Sequence, residues 1–336
     1  MTGPHPSVAA VRLAVRTDLA DLPEGATVLV ACSGGADSLA LAAATVVEGR
    51  GSSCRVVGVC VDHQLQEGSA AQADRTADQL RALGADEAVV VAVTVSAAGL
   101  GPEAAAREAR YDVLRELATR FGASAVLLGH TRDDQAETVL MGLTRGSGGR
   151  ALSGMRRAFE VFRRPLLDVT RADTETACLA EGLEWWEDPH NTDDRFTRVR
   201  VRRTVLPLLE DELGPGVGAA LARTADQLRE DASYLDAVAD DALGRAAVPG
   251  GLAVDALASL HPAVRRRVLR LAAVTAGSPT ADLFRVHVLA LDRLVTDWHG
   301  QVGVDLPGPL RVVRRAGVLD FTGASPSDGG SGSGRG

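Results

Sequence analysis

The sequence has no lysine and no isoleucine; all 36 basic residues are arginine. Both missing residues use AT-rich codons, so a GC-rich genome accounts for the pair. The chemical consequence is firm. A Walker A lysine, a Schiff-base lysine and a kinase-type lysine are all excluded. Any nucleotide phosphate must be held without an ammonium group from this chain. Cysteine is scarce too. Cys32, Cys54, Cys60 and Cys178 form no C-x-x-C pair. That argues against a disulfide framework and against a zinc or iron–sulfur site, and leaves them as small buried hydrophobes. No apolar run approaches the roughly 18–20 residues of a membrane span. The N-terminus does not read as a signal peptide: Val8, Val11, Val15 and Leu19 fall on one face of a short amphipathic helix. The expected location is the cytoplasm, with no membrane partner.

The length of 336 residues suggests roughly two domains. A net charge of −8 argues against a broadly basic nucleic-acid coat but leaves room for local arginine patches. The first half alternates strand and helix. Strands are expected at Thr27–Cys32, Arg55–Asp62, Ala88–Val95 and Ser124–Gly129. Helices are expected at Leu39–Val47, Ser69–Leu83 and Pro102–Phe121, with another opening near Asp133–Asp134. Continuous apolar strands separated by helices imply a parallel sheet covered on both faces. In such sheets the ligand crevice lies beyond the carboxyl ends of the strands. From about Phe196 the pattern turns mainly helical, with Val217–Ala246, Pro262–Ala276 and Ala281–Asp297 as the clearest segments. GVDLPGPLRVVRRAGVLDF then suggests two short strands around a Pro-Gly-Pro turn. The division expected is an α/β domain over 1–214, a smaller, mainly helical domain over 215–322 and a disordered Gly/Ser-rich tail over 323–336. The oligomeric state stays open, a homodimer included.

Ser33-Gly34-Gly35-Ala36-Asp37-Ser38 sits between the first strand and the first following helix. Two adjacent glycines let backbone approach an anion, and the helix N-terminus points N–H groups at it. Ser33 and Ser38 add hydroxyls. A carboxylate beside phosphate is repulsive, so Asp37 makes sense if it holds Mg²⁺ or meets the reacting end of a nucleotide. The plain alternative is a Gly-rich turn capped by Asp37 and Ser38. Gly146-Ser147-Gly148-Gly149-Arg150-Ala151 matches a G-x-G-x-x-A string but follows a helix, so it is discounted as a dinucleotide site.

Asp62 and His63 close the second strand, where an adenine or ribose edge can be read; a strand-end cap explains them equally well. The fourth strand ends in Gly129-His130, followed by Thr131-Arg132-Asp133-Asp134-Gln135-Ala136-Glu137-Thr138. His130, Asp134 and Glu137 are three to four residues apart and can share a face toward the crevice. A histidine with two carboxylates suits proton handling, metal holding or gripping an ammonium. Helix capping by Asp133 and Asp134 is the alternative.

The S-G-G-x-D-S hexapeptide resembles the PP-loop of N-type ATP pyrophosphatases, Rossmann-like enzymes that cleave ATP between the α and β phosphates and activate a substrate oxygen as an adenylate. Further blocks narrow the resemblance. They are Val61-Asp62-His63-Gln64-Leu65, the run from Glu103 to Tyr111, GHTRDDQAET, Arg145-Gly146-Ser147-Gly148, Leu152-Ser153-Gly154-Met155, Arg164-Pro165-Leu166-Leu167, Glu187-Asp188-Pro189-His190-Asn191 and Phe196-Thr197-Arg198. In this content and order the chain resembles the tRNA(Ile)-lysidine synthetases. Gln66, Ala151 and His190 depart from the usual arginine, glycine and serine, and the sequence ends before a third domain found in longer members.

The resemblance implies a fold and a reaction. The fold is a PP-loop α/β catalytic domain followed by a smaller tRNA-binding domain. In the reaction ATP adenylates the C2 oxygen of cytidine 34 in the CAU anticodon of a minor isoleucine tRNA, releasing pyrophosphate. The ε-amino group of free L-lysine then attacks C2 and expels AMP, giving lysidine. Carried onto this sequence, Ser33 to Ser38, Asp62, His63 and Gly129 bind ATP. Asp37 holds Mg²⁺, Arg110 offsets the anionic adenylation transition state and His130 orients substrate or nucleotide. Asp134 and Glu137 bind the lysine ammonium, and one takes its proton. Without the resemblance, Arg107 and Arg110 read as ordinary helix salt links to Glu103 and Glu108.

The RNA would be held by arginine clusters: Arg195, Arg198, Arg200, Arg202 and Arg203, which have no acid between them; Arg265, Arg266, Arg267 and Arg270; and Arg311, Arg314 and Arg315. A charge run is more often a solvated face. Trp185 and Trp186 offer a stacking face for an unstacked base, or core. The rivals are a tRNA cytidine 2-thiolase, which would want a cysteine pair, a small-molecule amidoligase, and a non-catalytic ATP sensor, which would not need Asp37, Asp134 and Glu137 together.

Overall fold

The computed structural model describes residues 3–62, 64, 68–93, 102–144 and 149–323 (for 102–104, 106, 150, 190, 322 and 323, the backbone only). His63, Leu65, Gln66, Thr94–Val95, Arg145–Gly148 and the tail from 324 onward lie outside the described residues.

The first half runs α1 (Pro6–Leu19), β1 (Thr27–Ala31), α2 (Ala36–Gly51), β2 (Arg55–Asp62), α3 (Ser69–Leu83), β3 (Glu87–Ala92), α4 (Pro102–Phe121), β4 (Ala123–Leu128) and α5 (Arg132–Thr144). After α6 (Gly149–Leu152) come the short strands β5 (Ala158–Phe159) and β6 (Phe162–Arg163) and then α7 (Arg171–Ala180). The sheet order is β3-β2-β1-β4-β6-β5, parallel except for the β5–β6 pair. Alternation along each strand splits the core in two. Val28, Val30, Val56, Ala125 and Leu127 face α1, α2 and α7. Leu29, Val57, Val59, Val126 and Leu128 pack with Tyr111, Leu114 and Leu117 of α4. Burying each large side chain of this kind contributes about 1.5–3 kcal/mol, so both faces must be covered, as the unbroken apolar strands require. Glu48 ties α1 to α2 by accepting from Arg12 at 2.6 Å and Arg16 at 2.7 Å. All four cysteines are free and buried, and burial pushes the Cys60 and Cys178 thiols up to about 12.

The sheet order reverses between β1 and β4, where connections depart to opposite sides, the place at which sheets of this kind take their ligands. Gly129, just past β4, presses on the start of α2: a Cβ there would lie 3.1 Å from Ser38 Cα. The first following helix begins at Ala36 rather than Leu39, because the loop's last residues already supply its first turn.

The chain continues through α8 (Thr197–Arg200), a π-helical turn (Val201–Val205), α9 (Leu206–Leu213) and α10 (Val217–Ala246). Contacts divide it into two units, 1–145 with 151–226 and 146–150 with 227–336, so the division falls inside α10. The second unit contains α11 (Val254–Ala258), α12 (Pro262–Thr275) and α13 (Arg285–Thr296). It also carries a five-stranded antiparallel sheet of order β7-β8-β11-β10-β9, where two strands were expected. These strands are β7 (Ala247–Val248), β8 (Gly251–Ala253), β9 (Val304–Leu306), β10 (Leu310–Arg315) and β11 (Val318–Gly323). The short ones carry too few residues for a period of two to show. No described helix is long and apolar enough to cross a membrane.

Candidate active site

The loop after β1 has the geometry of an anion cradle. Gly34 adopts φ +84°, and a Cβ on it would lie 2.6 Å from Thr76 Oγ1, so glycine is required twice over. Ser38 Oγ accepts from Ser33 N at 3.1 Å and donates to Gly35 O at 2.9 Å. Its hydroxyl therefore shapes the loop from inside, whereas Ser33 is exposed. Trp186 N donates to Gly34 O at 2.9 Å, while Trp185 packs against the core.

Asp37, in the first turn of α2, faces α7. Thr170 caps α7 by accepting from Asp173 N at 3.0 Å, and Asp133 accepts from Arg171 N at 2.8 Å. That fixed start puts Arg171 and Thr174, one turn apart, over Asp37. Thr174 Oγ1 donates to Asp37 Oδ1, and Arg171 Nε donates to Oδ2 at 3.3 Å. The same guanidinium donates to Asp134 Oδ1 at 3.2 Å and lies 3.8 Å from Glu137. Arg171 therefore draws three expected site carboxylates to one point. Sequence reading missed it. The signal was available: a cation in the first turn of a helix opposes the macrodipole and needs carboxylates nearby.

Asp134 and Glu137 are buried on α5, with Glu137 at 0 % exposure. Asp134 Oδ2 accepts from Thr131 N at 2.8 Å. Burial works to raise Asp134, but Arg171, the Thr131 N–H and Arg202 hold it below the usual carboxylate range. Burial lifts Glu137 above its ordinary value despite its bonds to Arg202, and lifts Asp37 likewise despite Arg171. A cavity of ≈ 340 Å³ borders Glu137, lined also by Asp133, Arg202, Pro207 and Glu210.

His130 is pushed down to about 3, first by burial and then by Arg164, Arg110 and Arg107, so it is neutral at pH 7. Its Nδ1 and the Nε of Arg110 are buried without hydrogen-bond partners among the described residues. Burial lowers Arg110 as well. Among the described side chains neither Arg107 nor Arg110 pairs with a carboxylate; the side chain of Glu103, one partner in the salt-link reading, lies outside the described ones. Asp62 is buried and accepts from Gln64 N at 2.9 Å; its neighbour His63 is outside the described residues.

The chain matches the PP-loop domain family over residues 11–209 and the TilS substrate binding domain family over residues 252–319. A tRNA(Ile)-lysidine synthase of Thermobifida fusca is 55% identical over 322 residues, covering 95% of this chain and 98% of that protein. One of Streptomyces coelicolor is 50% identical over 347 residues, covering 94% and 98%. The chain belongs to the tRNA(Ile)-lysidine synthase family. As a member of that family it is a ligase that uses ATP. Among solved structures, the U34-tRNA thiolase NcsA from Methanococcus maripaludis superposes with a TM-score of 0.57 at 17% identity, over 67% of this chain and 80% of that one. That likeness is one of fold.

For a lysidine synthase the arginine clusters sort unevenly. Arg195 is exposed and pairs with Asp193 at 2.6 Å, and Arg203 lies 3.6 Å from Asp194. Arg200 donates to Asp194 O at 2.7 Å. Arg198 and Arg202 turn inward instead, 3.3 Å and 2.6 Å from Glu137, so they belong to the carboxylate network. The π-helical turn sets Arg202 there; such turns recur at functional sites. Arg265 is corrected outright. It is 6% exposed and paired with Asp292 at 2.6 Å, so it is an internal tie in the second unit and presents no charge to RNA. Arg266 shares Asp292 at 2.9 Å but stays partly exposed, and Arg314 stacks on Trp298 at 4.8 Å.

Proposed function

We propose that the chain ligates L-lysine to C2 of cytidine 34 in the CAU anticodon of an isoleucine tRNA, through an adenylated RNA, releasing pyrophosphate and then AMP. The observation that carries this reading is Arg171 gathering Asp37, Asp134 and Glu137 beside the phosphate loop. Three carboxylates converging on a cation next to a triphosphate cradle suit an enzyme that brings an amine to an adenylate.

The roles follow from the residues. Backbone N–H groups of Gly34 to Asp37, at the start of α2, receive the leaving pyrophosphate, with Ser33 and Ser38 completing the loop around it. Asp62, His63 and Gly129 border the nucleotide. Arg110 supplies positive charge to the adenylation transition state. Asp134, held ionised, binds the ε-ammonium, and Glu137, whose affinity for protons is raised by burial, takes its proton so that a neutral amine attacks. C2 then loses its oxygen with AMP as the C–N bond forms. Neutral His130 orients the base or nucleotide.

Among the described residues, no group of three His, Cys, Asp or Glu side chains converges to hold a metal by itself. Asp37 alone fits a Mg²⁺ ion arriving on the triphosphate, which keeps water and phosphate oxygens as its other ligands. When bound, that ion neutralises charge on the phosphates.

Residues 1–214 would carry the chemistry and contact tRNA phosphates through Arg195, Arg200 and Arg203, and 215–322 would complete the grip on the tRNA, with Arg266 as a phosphate contact. Free lysine and tRNA as substrates imply the cytoplasm. The chemistry proposed is the same for a single chain or a homodimer. The test is pyrophosphate release from ATP with and without this tRNA. Release that requires the tRNA and vanishes in Asp37→Ala supports the reading; tRNA-independent turnover opposes it.

A further inference from the structure

On the α4 face of the sheet lies a cavity of ≈ 550 Å³ that the roles above do not use. Its wall is apolar and aromatic: Tyr111, Met155 and Phe159, with Phe159 stacked on Phe162 at 5.1 Å and Tyr111 meeting Phe162 edge-on at 4.9 Å. Its rim is cationic. Arg107 and Arg156 are exposed and have no carboxylate partner among the described side chains. Arg107 lies 5.1 Å over the Tyr111 ring and donates to its hydroxyl at 3.2 Å. Arg164 anchors the wall, 4.6 Å over Phe159, and donates to Tyr111 Oη at 3.1 Å and Arg156 O at 2.5 Å.

Geometry joins this cavity to the residues assigned to catalysis: Arg110 lies 5.8 Å over the Tyr111 ring of its wall. Arg107 and Arg164 stand close enough to His130 and Arg110 to lower the proton affinity of both. The buried Nδ1 of His130 and Nε of Arg110 lack partners among the described residues, though neither side chain lines the cavity. An aromatic wall takes a flat, weakly polar ring, and guanidinium groups with no carboxylate partner among the described side chains take phosphate. Glu108, also on the lining, can accept from a base N–H.

We propose that this cavity seats the nucleotide next to the cytidine being modified, its base beside Phe159, the partly exposed ring of the wall, and its phosphate between Arg107 and Arg156. This rests on the tRNA reading above. It assigns to the first unit a subsite that holds the anticodon open, since a flipped-out cytidine leaves a neighbour unstacked.

The test is binding of a fluorescein-labelled anticodon stem-loop carrying CAU to the full chain, measured across a salt series. It reads the cavity whether or not lysine is transferred, while lysine incorporation by the unaltered enzyme judges the tRNA reading separately. Arg156→Ala should weaken binding at least five-fold and lower the slope of log Kd against log salt by about one. Arg156→Lys should restore the slope, which a merely structural role would not do. An abasic residue beside the target cytidine should cost the unaltered enzyme ten-fold or more and cost Phe159→Ala less than two-fold. Should Phe159→Ala unfold, Phe159→Leu takes its place in the same comparison. An unchanged Kd and slope in Arg156→Ala, or an abasic cost as large in the Phe159 variant as in the unaltered enzyme, overturns the proposal.

Discussion

Arg202 grips Glu137 with both arms of its guanidinium, Nε to Oε1 at 2.6 Å and Nη2 to Oε2 at 3.1 Å, while Glu137 is fully buried. A side-chain cation thus already sits on the carboxylate that the proposed amine has to reach. The incoming ammonium competes with it, and the contest depends on Glu137 being charged.

Glu137→Gln keeps the shape and removes that charge. Charge-assisted hydrogen bonds contribute about 1.5–3 kcal/mol, so with the proton acceptor gone kcat should fall at least ten-fold and the KM for lysine should rise, while the KM for ATP stays within two-fold. Steady-state kinetics with each substrate varied in turn checks this. Equal rises in both KM values would mean that Glu137 merely supports the fold.

Asp37 separates stability from activity. Its folded-state pKa is raised above the unfolded value. A raised carboxylate is best tolerated at pH below its unfolded pKa, and that advantage is lost as pH rises through the folded one. At pH 7 the ionised form is therefore a burden on folding. Asp37→Asn should match or exceed the parent in thermal stability and yet lose tRNA-dependent pyrophosphate release. A markedly lowered Tm would show that the bonds from Thr174 and Arg171 outweigh the desolvation.

His130 gives the chain an acid weakness. Its pKa is pushed down to about 3, whereas the unfolded chain titrates near the ordinary value of 6.5. Between those values the unfolded state binds the extra proton, so stability falls as pH drops through the window. The cost is about 1.4 kcal/mol per pH unit for one proton. His130→Gln should have a flatter stability profile between pH 6 and about 4 than the parent, by urea denaturation at each pH. Parallel profiles would contradict the buried neutral imidazole.

Two arginines that look alike in sequence should behave oppositely. Arg265→Ala leaves Asp292 buried beside a single remaining partner, Arg266. Loss of one member of such a pair costs about 3–5 kcal/mol. Arg195→Ala, on an exposed side chain, should leave Tm unchanged, weaken tRNA binding and lower its salt slope by about one. Thermal melts and filter binding on the two variants decide the matter.

The parallel sheet was legible because its strands are unbroken apolar runs, and the phosphate loop because glycines and hydroxyls concentrate at one strand end. Ser69–Leu83, Pro102–Phe121 and Val217–Ala246 have the same limits in the sequence reading and in the structure. What could not be read is pairing between distant segments. Arg198 and Arg202 meet Glu137 of α5 in space, whereas Asp193 and Asp194, which pair with Arg195 and Arg203, stand directly before the cluster and were open to reading. Arg171 escaped notice because it stands next to its partners only once α7 docks beside α2 and α5. The small sheet of the second unit was undercounted because the two- and three-residue strands carry no periodicity.

The most direct measurement of the central claim is nucleoside analysis of a CAU-anticodon isoleucine tRNA incubated with the protein, ATP, Mg²⁺ and labelled lysine. The account predicts one lysine joined at cytidine 34, with one AMP and one pyrophosphate per lysine. Unmodified cytidine, or a different group at C2, would contradict it.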